Sequence, residues 1–134
     1  MSHQADKSTL ARYPVHLGSE GTAVPQPAFN GVEWYEAYGA RHGDDALHGR
    51  LLSMHTFTKS WDMWEMHPKG HEVVIVTAGE MTLIQGRDAK QTRLRLSTGE
   101  YAINPPGVWH TAEVESTATA VFITSGEGTL NEPR

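Results

Sequence analysis

Two carboxylates and one imidazole lie within eight residues of each other near the middle of the chain. Glu65 and His67 are two positions apart in an extended run, so their side chains point to the same face of a strand. Pro68-Lys69-Gly70 then turns the chain, and Glu72 begins the next extended run. This arrangement brings three oxygen and nitrogen donors toward one turn, and donors of these types bind divalent metals.

A fourth ligand has to come from a distant part of the chain. His110 is the best candidate because it follows Pro105-Pro106-Gly107, a rigid turn that leads into a strand. We therefore predict one divalent metal ion held by Glu65, His67, Glu72 and His110. The charge of two carboxylates balances a divalent ion, and this hard donor set favours iron, manganese, zinc or nickel over copper(I).

From about residue 49 onward, short apolar or alternating runs are separated by turn-forming residues. Such runs at close and even spacing are typical of an all-β sandwich or barrel, and here they predict a small antiparallel β-barrel. The predicted strands span residues 50–58, 61–67, 72–78, 81–85, 92–97, 101–104, 109–115 and 119–125. Gly79-Glu80 predicts a tight hairpin between the third and fourth of these strands.

The run 72–78 is apolar on both faces after its first residue, which indicates a strand in mid-sheet with another sheet or subunit over it. Residues 1–45 predict an N-terminal arm, partly ordered against a partner subunit, with a short helix over 33–42. The barrel domain is expected over 46–128 and a C-terminal tail over 129–134. The two-sided strand and the arm both favour a homodimer.

The spacing of the candidate ligands resembles the two sequence motifs of the cupin superfamily. The first motif contains His-x4-Glu-x6-Gly, which is matched by His67, Glu72 and Gly79. The second contains Gly-x5-Pro-x-Gly-x2-His, which is matched by Gly99, Pro105, Gly107 and His110. The resemblance covers roughly residues 50–125, with both motifs in the order that the family has them.

Three positions depart from the cupin pattern. Lys59 replaces the leading glycine of the first motif, Glu65 replaces its first histidine, and Val114 replaces the closing asparagine of the second. Because glutamate is also a metal ligand, the resemblance still implies a metal site, although the metal and its chemistry are left open.

The resemblance implies a double-stranded β-helix, a jelly-roll-like barrel with the metal inside near one open end. It further implies that residues beside the metal line a pocket: Phe57, Trp61, Met63 and Phe122. His71 is expected to point away from the site and His55 to pack or face solvent. Either one is an alternative support for a ligand, and His71 could replace a ligand if the local chain is irregular. The remaining histidines, which are His3, His16, His42 and His48, are expected to be exposed.

Composition excludes several classes of protein. The chain contains no cysteine, so disulfides, thiolate metal sites and cysteine nucleophiles are excluded. The formal net charge is −5 and there is no basic run, so no nucleic-acid partner is expected. We expect no secretory signal and no membrane span, and therefore a cytoplasmic protein.

The function is expected to depend on a metal and a small molecule. The first hypothesis is a metal-dependent enzyme that acts on a small organic molecule, with dioxygenase-like or isomerase-like chemistry. The second is a non-catalytic module that binds or senses a small ligand in the barrel. The third is a structural or storage role with an empty site. The sequence leaves open whether the protein is an enzyme, and the fold alone does not decide it.

Overall fold

The computed structural model describes residues 7–45, 48–88 and 90–134. Within these ranges the chain forms ten strands and one α-helix, α1 (Val32–Arg41), so the predicted all-β class and the short helix are confirmed. The strands are β1 (Val15–Leu17), β2 (Ala23–Pro25), β3 (Arg50–Phe57), β4 (Met63–Met66), β5 (Glu72–Gln85), β6 (Thr92–Ser97), β7 (Tyr101–Asn104), β8 (His110–Glu113), β9 (Ala118–Thr124) and β10 (Leu130–Pro133).

The strands form two antiparallel sheets that share β5. The first sheet has the order β2-β1-β3-β9-β5-β7, and the second has the order β10-β4-β8-β5-β6. Residues 72–79 of β5 pair with β9 in the first sheet, whereas residues 80–85 pair with β6 in the second. One strand therefore joins the two sheets and fixes how they face each other.

The prediction of a hairpin at Gly79-Glu80 is wrong, because β5 continues through this point as a single strand. The ladder between β5 and β9 shifts register between Val76 and Ala78, so the strand bulges where it passes from one sheet to the other. Gly79 has a φ of 75°, and a Cβ atom there would collide with the carbonyl oxygen of Thr117. Gly79, which the sequence analysis placed in a turn, instead allows a bend within one continuous strand.

The hydrophobic core fills the space between the two sheets. The first sheet contributes Val74, Val76, Ala102, Ala118, Ala120 and Phe122, and the second contributes Met81, Leu83, Leu96, Ala112 and Val114. Along the first half of β5, buried residues alternate with half-buried ones, so only its inner face is fully covered by the described part of the chain. The second apolar face that the sequence showed, Val73 and Ile75, lies on the outside of the first sheet.

The sheet extends beyond the predicted barrel boundaries at 46 and 128. β1 pairs with β3, and β2 pairs with β1, so the predicted arm adds two strands of its own. Strands of three residues are too short for their alternation to distinguish them from a loop. The predicted tail likewise contains β10, which pairs with β4 and supplies backbone partners along that edge. Residues 1–6 and 46–47 of the predicted segments lie outside the described residues.

His16 is buried, with 3% of its surface exposed, so the prediction that it is exposed is wrong. It lies on β1, and its Nδ1 and Nε2 atoms hydrogen-bond to the Tyr38 hydroxyl at 2.6 Å and to the Asp45 carboxylate at 2.8 Å. The prediction that His42 is exposed is also wrong, because His42 is half-buried and its ring stacks on that of His16 at 3.9 Å. These contacts hold α1 against the first sheet. No spacing in the sequence predicts them. His48 is exposed as predicted, and His3 lies outside the described residues.

The helix α1 packs against the inner side of the first sheet. Trp34 is 4% exposed, and its indole N–H donates to the carbonyl oxygen of Pro27. Phe29, in the segment before the helix, contacts the ring of His55 on β3 at 5.0 Å. No helix within the described residues has the length and the apolar character that a membrane crossing requires.

We predict that Gly79→Ala destabilises the protein far more than Gly99→Ala. Both glycines have a positive φ, 75° and 90°, so alanine is strained by roughly 1–2 kcal/mol at either site. Only at Gly79 does the new Cβ also meet backbone, because nothing lies within 4 Å of a Cβ built at Gly99. Urea denaturation followed by tryptophan fluorescence measures both losses. Equal losses would show that the bend in β5 tolerates a side chain.

Candidate metal centre

Neighbouring strands of the second sheet bring two of the predicted ligands together. Glu65 on β4 lies directly opposite His110 on β8 in the antiparallel register, so both side chains project from the same face. His67 follows β4 immediately and shares the face of Glu65, as its spacing predicts. His110 is fully buried and His67 is 5% exposed. Glu65 is the most accessible of the three, with 32% of its side chain exposed.

Glu72 enters from the first sheet, where it is the first residue of β5. Its cross-strand partners are Asn104 on β7 and Thr124 on β9. The Asn104 amide donates to Oε1 of Glu72 at 3.0 Å, and the Thr124 hydroxyl donates to Oε2 at 2.6 Å. Both carboxylate oxygens are thus held in place by neighbours in the same sheet. At 3% exposure the group lies in the interior, between the two sheets.

The four predicted ligands converge at this point. Ligand atoms of Glu65, His67 and His110 all lie within 4.8 Å of one another, which is close enough for one metal ion to bind all three. Nε2 of His67 is 3.3 Å from Glu72 Oε2, and Nε2 of His110 is 3.2 Å from Glu72 Oε1. Glu72 therefore contacts both imidazoles, while its role as a ligand stays a prediction.

Hydrogen bonds at the far side of each ring decide which nitrogen faces the centre. The Thr129 hydroxyl donates its one hydrogen to the carbonyl oxygen of Gly126, so at 2.8 Å it accepts from Nδ1–H of His67. Nδ1 of His110 lies 3.4 Å from the carbonyl oxygen of Val108, which can only accept. In the neutral rings both Nε2 atoms therefore carry a lone pair directed at the centre.

This donor set fits a metal ion. Within the described residues, the Nε2 atoms of His67 and His110 are buried and have no hydrogen-bond partner. Two imidazole lone pairs and the carboxylate of Glu72 face one another with no donor between them, an arrangement that only a cation or a proton stabilises. Two ligands bound at right angles about 2.1 Å from one ion lie about 3 Å apart, close to the spacing of the histidines from Glu72.

The electrostatics of the centre agree with this interpretation. Burial alone raises the pKa of Glu72, but His110 and His67 outweigh it and hold that pKa far below its usual range. Burial raises the pKa of Glu65, and the charge of Glu72 adds to the effect. Burial lowers the pKa of His67, but Glu72 and Glu65 outweigh it, so the net shift is upward. The raised pKa values of Glu65 and His67 mean that each of these two groups holds its proton to a higher pH than it would in water.

Aromatic rings pack beside His110 on the inner face of the barrel. The Trp61 ring lies 6.4 Å from His110, and it contacts Phe57 at 5.5 Å and Phe122 at 6.1 Å. Three of the predicted pocket residues therefore form one cluster next to the ligands. Met63 is half-buried on β4, and its place in a pocket stays a prediction.

The two predicted supporting histidines lie in different environments. His71 is exposed, as expected from its position next to the inward-facing Glu72. The ring of His55 packs on Phe57 and Phe122 at 6.2 and 6.0 Å. Neither hydrogen-bonds a predicted ligand among the contacts of the described residues, so their supporting role stays a prediction.

The residues that hydrogen-bond to the candidate ligands were not predicted from the sequence. Asn104, Thr124 and Thr129 are common polar residues at strand ends, and no spacing rule connects them with Glu72 or His67. Tyr35 of α1 was also missed: burial first, and then the carboxylates of Glu65 and Glu72, raise its pKa to about 12. Only its place beside Trp34 in the predicted helix could have drawn attention to it.

The sequence pattern of the cupin domain family matches residues 56–130, which is more than half of the chain. This chain belongs to the cupin family. The match includes all four predicted ligands, and the predicted resemblance is confirmed. No curated protein sequence matches the chain.

Solved structures with the double-stranded β-helix fold are similar to this cupin. An uncharacterised conserved protein from Klebsiella pneumoniae is 21% identical, with a TM-score of 0.52 over 63% of this chain and 76% of that one. A cupin-2 domain protein from Shewanella frigidimarina is 24% identical, with a TM-score of 0.48 over 63% and 71%. Oxalate oxidase is 18% identical, with a TM-score of 0.51 over 60% of this chain and only 45% of its own. Because the identities are this low, the Klebsiella protein and oxalate oxidase, with TM-scores above 0.5, support the fold alone.

We predict that Thr129→Val weakens metal binding about 10- to 100-fold, because His67 loses the acceptor that fixes its tautomer and orientation. Thr129→Ser keeps the hydroxyl and is expected to bind metal as the parent does. Isothermal titration of the metal-free proteins with Zn²⁺ or Mn²⁺ measures the difference. Equal affinities for the valine and serine variants would contradict the role of the Thr129 hydroxyl.

We also predict that the metal-free protein loses stability as the pH rises above about 6.5, the ordinary pKa of histidine. The pKa of His67 is raised in the folded state, so its contribution is fully present below the unfolded value and is lost as the pH rises through the folded value. Thermal denaturation between about pH 6 and about pH 8 measures the effect. His67→Gln is the control, and a slope equal to that of the parent would exclude His67 as the source.

Proposed function

We propose that this cupin domain binds one divalent metal ion through Glu65, His67, Glu72 and His110 and uses it to act on a small organic molecule. The observation that supports the proposal most directly is the orientation of the two imidazoles. Their Nδ1 atoms are engaged by Thr129 and by the backbone at Val108, which leaves both Nε2 lone pairs facing anionic oxygens.

Glu72 is proposed as the fourth ligand. Its carboxylate already accepts from Asn104 and Thr124, and each oxygen lies close to one imidazole nitrogen. Supporting hydrogen bonds of this kind orient metal ligands and reduce the reorganisation that binding requires. Of the four side chains, Glu65 is the least firmly held in place, because its Oε1 atom is 3.9 Å from Nε2 of His110 and the side chain is partly exposed.

A metal with an open coordination position supplies Lewis-acid or redox chemistry to an oxygen-bearing ligand. The protein's own residues determine access and environment. The exposed part of Glu65 marks the side from which a ligand reaches the centre, because His67, Glu72 and His110 are almost completely buried. Trp61, Phe57 and Phe122 provide an apolar wall next to His110, which reduces the local water content and strengthens charge interactions.

A binding or sensing module without turnover is the alternative, and the packing of the aromatic rings favours it. Centroid distances of 5.5 to 6.1 Å between Phe57, Trp61 and Phe122 are contact distances, so these rings fill the space beside His110. A surface cavity of about 320 Å³ lies elsewhere, beside β5, β6 and β8, and none of its lining residues is a predicted ligand. A substrate therefore has to approach from the side of Glu65 or displace a ring.

Metal reconstitution tests the proposal. We expect metal-free protein to take up about one Mn²⁺, Fe²⁺, Zn²⁺ or Ni²⁺ ion per chain, with histidine nitrogen and carboxylate oxygen in the X-ray absorption spectrum. Glu72→Gln and Glu65→Ala are each expected to lower affinity by about 100-fold or more, because each removes an anionic ligand. Glu115→Ala is the matched control, since Glu115 is exposed and lies at the distant cavity.

The coordination number then separates the two functions. An open or water-occupied position, together with turnover of a carboxylate, phenolic or sugar-like substrate, supports an enzyme. A closed coordination shell and ligand binding without turnover support the binding module. Glu72→Gln protein with parental affinity would remove Glu72 from the ligand set, and a parent protein that retains no metal would overturn both functions.

A further inference from the structure

Two side-chain amides in series lead to the carboxylate of Glu72. Gln85 is the last residue of β5 and lies directly opposite His110 on β8, so its side chain projects to the same face as that candidate ligand. Its Nε2 atom donates to the carbonyl oxygen of Ile103 at 2.8 Å and to Oδ1 of Asn104 at 2.9 Å. Nδ2 of Asn104 in turn donates to Oε1 of Glu72 at 3.0 Å. We call Gln85 and Asn104 the amide pair.

The hydrogen bonds of the amide pair run in one direction only. The carbonyl oxygen of Ile103 and the carboxylate of Glu72 accept and cannot donate, so each of them has to face an N–H group. Because Nε2 of Gln85 donates one hydrogen to Ile103 and the other to Oδ1 of Asn104, the Asn104 amide has its Nδ2 turned to Glu72. A reversed Asn104 amide would set its oxygen against the carboxylate and its hydrogens against those of Gln85.

Burial makes each member of this series depend on the one before it. Asn104 is 1% exposed and Glu72 is 3% exposed, so water does not compete for their hydrogen bonds. Gln85 is half-buried at the end of β5. A buried polar group that loses a partner is costly to the fold, so Asn104 needs the donor of Gln85 just as Glu72 needs the donor of Asn104.

We propose that Gln85 is a positioning residue of the metal centre, which acts through Asn104 to hold the carboxylate of Glu72 in the orientation that binds the ion. This inference rests on the proposed metal binding. It adds a residue whose side chain, among the contacts of the described residues, hydrogen-bonds to no candidate ligand. The oxygen that Asn104 holds, Oε1 of Glu72, is also the oxygen 3.2 Å from Nε2 of His110. The amide pair therefore fixes the side of Glu72 that faces a fully buried imidazole.

The chemistry of the amide pair suits a metal ligand. An amide N–H does not give up its proton at ordinary pH, so Asn104 stabilises the ionised form of Glu72 and cannot protonate it. Hydrogen bonds in series polarise one another, so the donation by Gln85 strengthens the donation by Asn104. Glu72 is thereby held as an anion, and the deprotonated form is the one that binds a metal.

The amide pair also connects the two sheets, which raises the alternative of a purely structural role. Gln85 lies in the half of β5 that pairs with β6 and β8 in the second sheet, whereas Asn104 lies on β7 in the first. A structural role would lower stability when Gln85 is replaced, whether or not Asn104 is present. A positioning role acts on Glu72 through Asn104 alone, so the effect of Gln85 on metal binding has to vanish when Asn104 is removed.

A double-mutant cycle, read by isothermal titration of the metal-free proteins with Zn²⁺ or Mn²⁺, separates these roles. Gln85→Met keeps the length of the side chain without its donors and is expected to weaken binding about 10-fold. Asn104→Ala is expected to weaken binding about 10- to 100-fold, and Gln85→Met is expected to add nothing to it. Gln91→Met is the matched control, since Gln91 is exposed.

Hydrogen exchange of the Asn104 side-chain amide, measured by NMR, gives a readout on the metal-free protein. We expect exchange about 10-fold or more faster in Gln85→Met, because the amide is no longer held at its oxygen. Gln85→Lys is expected to keep the slow parental exchange, since its ammonium group can donate to the same two oxygens. Circular dichroism shows whether each variant is folded.

Three results would overturn the proposal: parental metal affinity in Gln85→Met, parental exchange of the Asn104 amide in Gln85→Met, or an equal effect of Gln85→Met with and without Asn104. Failure of the proposed function gives a different pattern. In that case the parent binds no metal, while Gln85→Met still speeds the exchange of the Asn104 amide.

Discussion

The carboxylate of Glu72 is the group around which this fold is organised. A buried carboxylate is costly unless its oxygens are satisfied, and here Asn104 and Thr124 do so from the two strands that flank β5 in the first sheet. The oxygens then face His67 and His110, which belong to the second sheet's side of the barrel. One charged group thus sets both the distance between the sheets at this end and the polarity of the space between them.

The long strand β5 makes this arrangement possible. Its first residue anchors the centre, and its second half pairs with β6 and β8 in the other sheet. The bulge beside Gly79 is where the strand changes sheets. A hairpin at this point would have placed two separate strands there, and the two sheets would have been joined only by loops.

Much of the barrel and of its ligands could be predicted from the sequence, because strand alternation and motif spacing are local. Glu65, His67 and His110 could be placed near one another from period-two geometry and a proline turn. The missed features all depend on distant contacts. A glycine in a hairpin turn and a glycine in a bend of one strand have the same local sequence pattern. The close approach of Thr117 to Gly79 belongs to the bend and is a contact between residues distant in sequence. The burial of His16 depends on Tyr38 and Asp45, which no local pattern connects with it.

The strand β10 gives the end of the chain an unexpected importance. Thr129, which fixes the ring of His67, immediately precedes this strand, and Arg134 donates its backbone N–H to the carbonyl oxygen of Asp62. Residues 129–134 therefore help to hold His67 in place, although they are distant from it in sequence. A change in residues 129–134 thus alters the support of His67 without touching any candidate ligand.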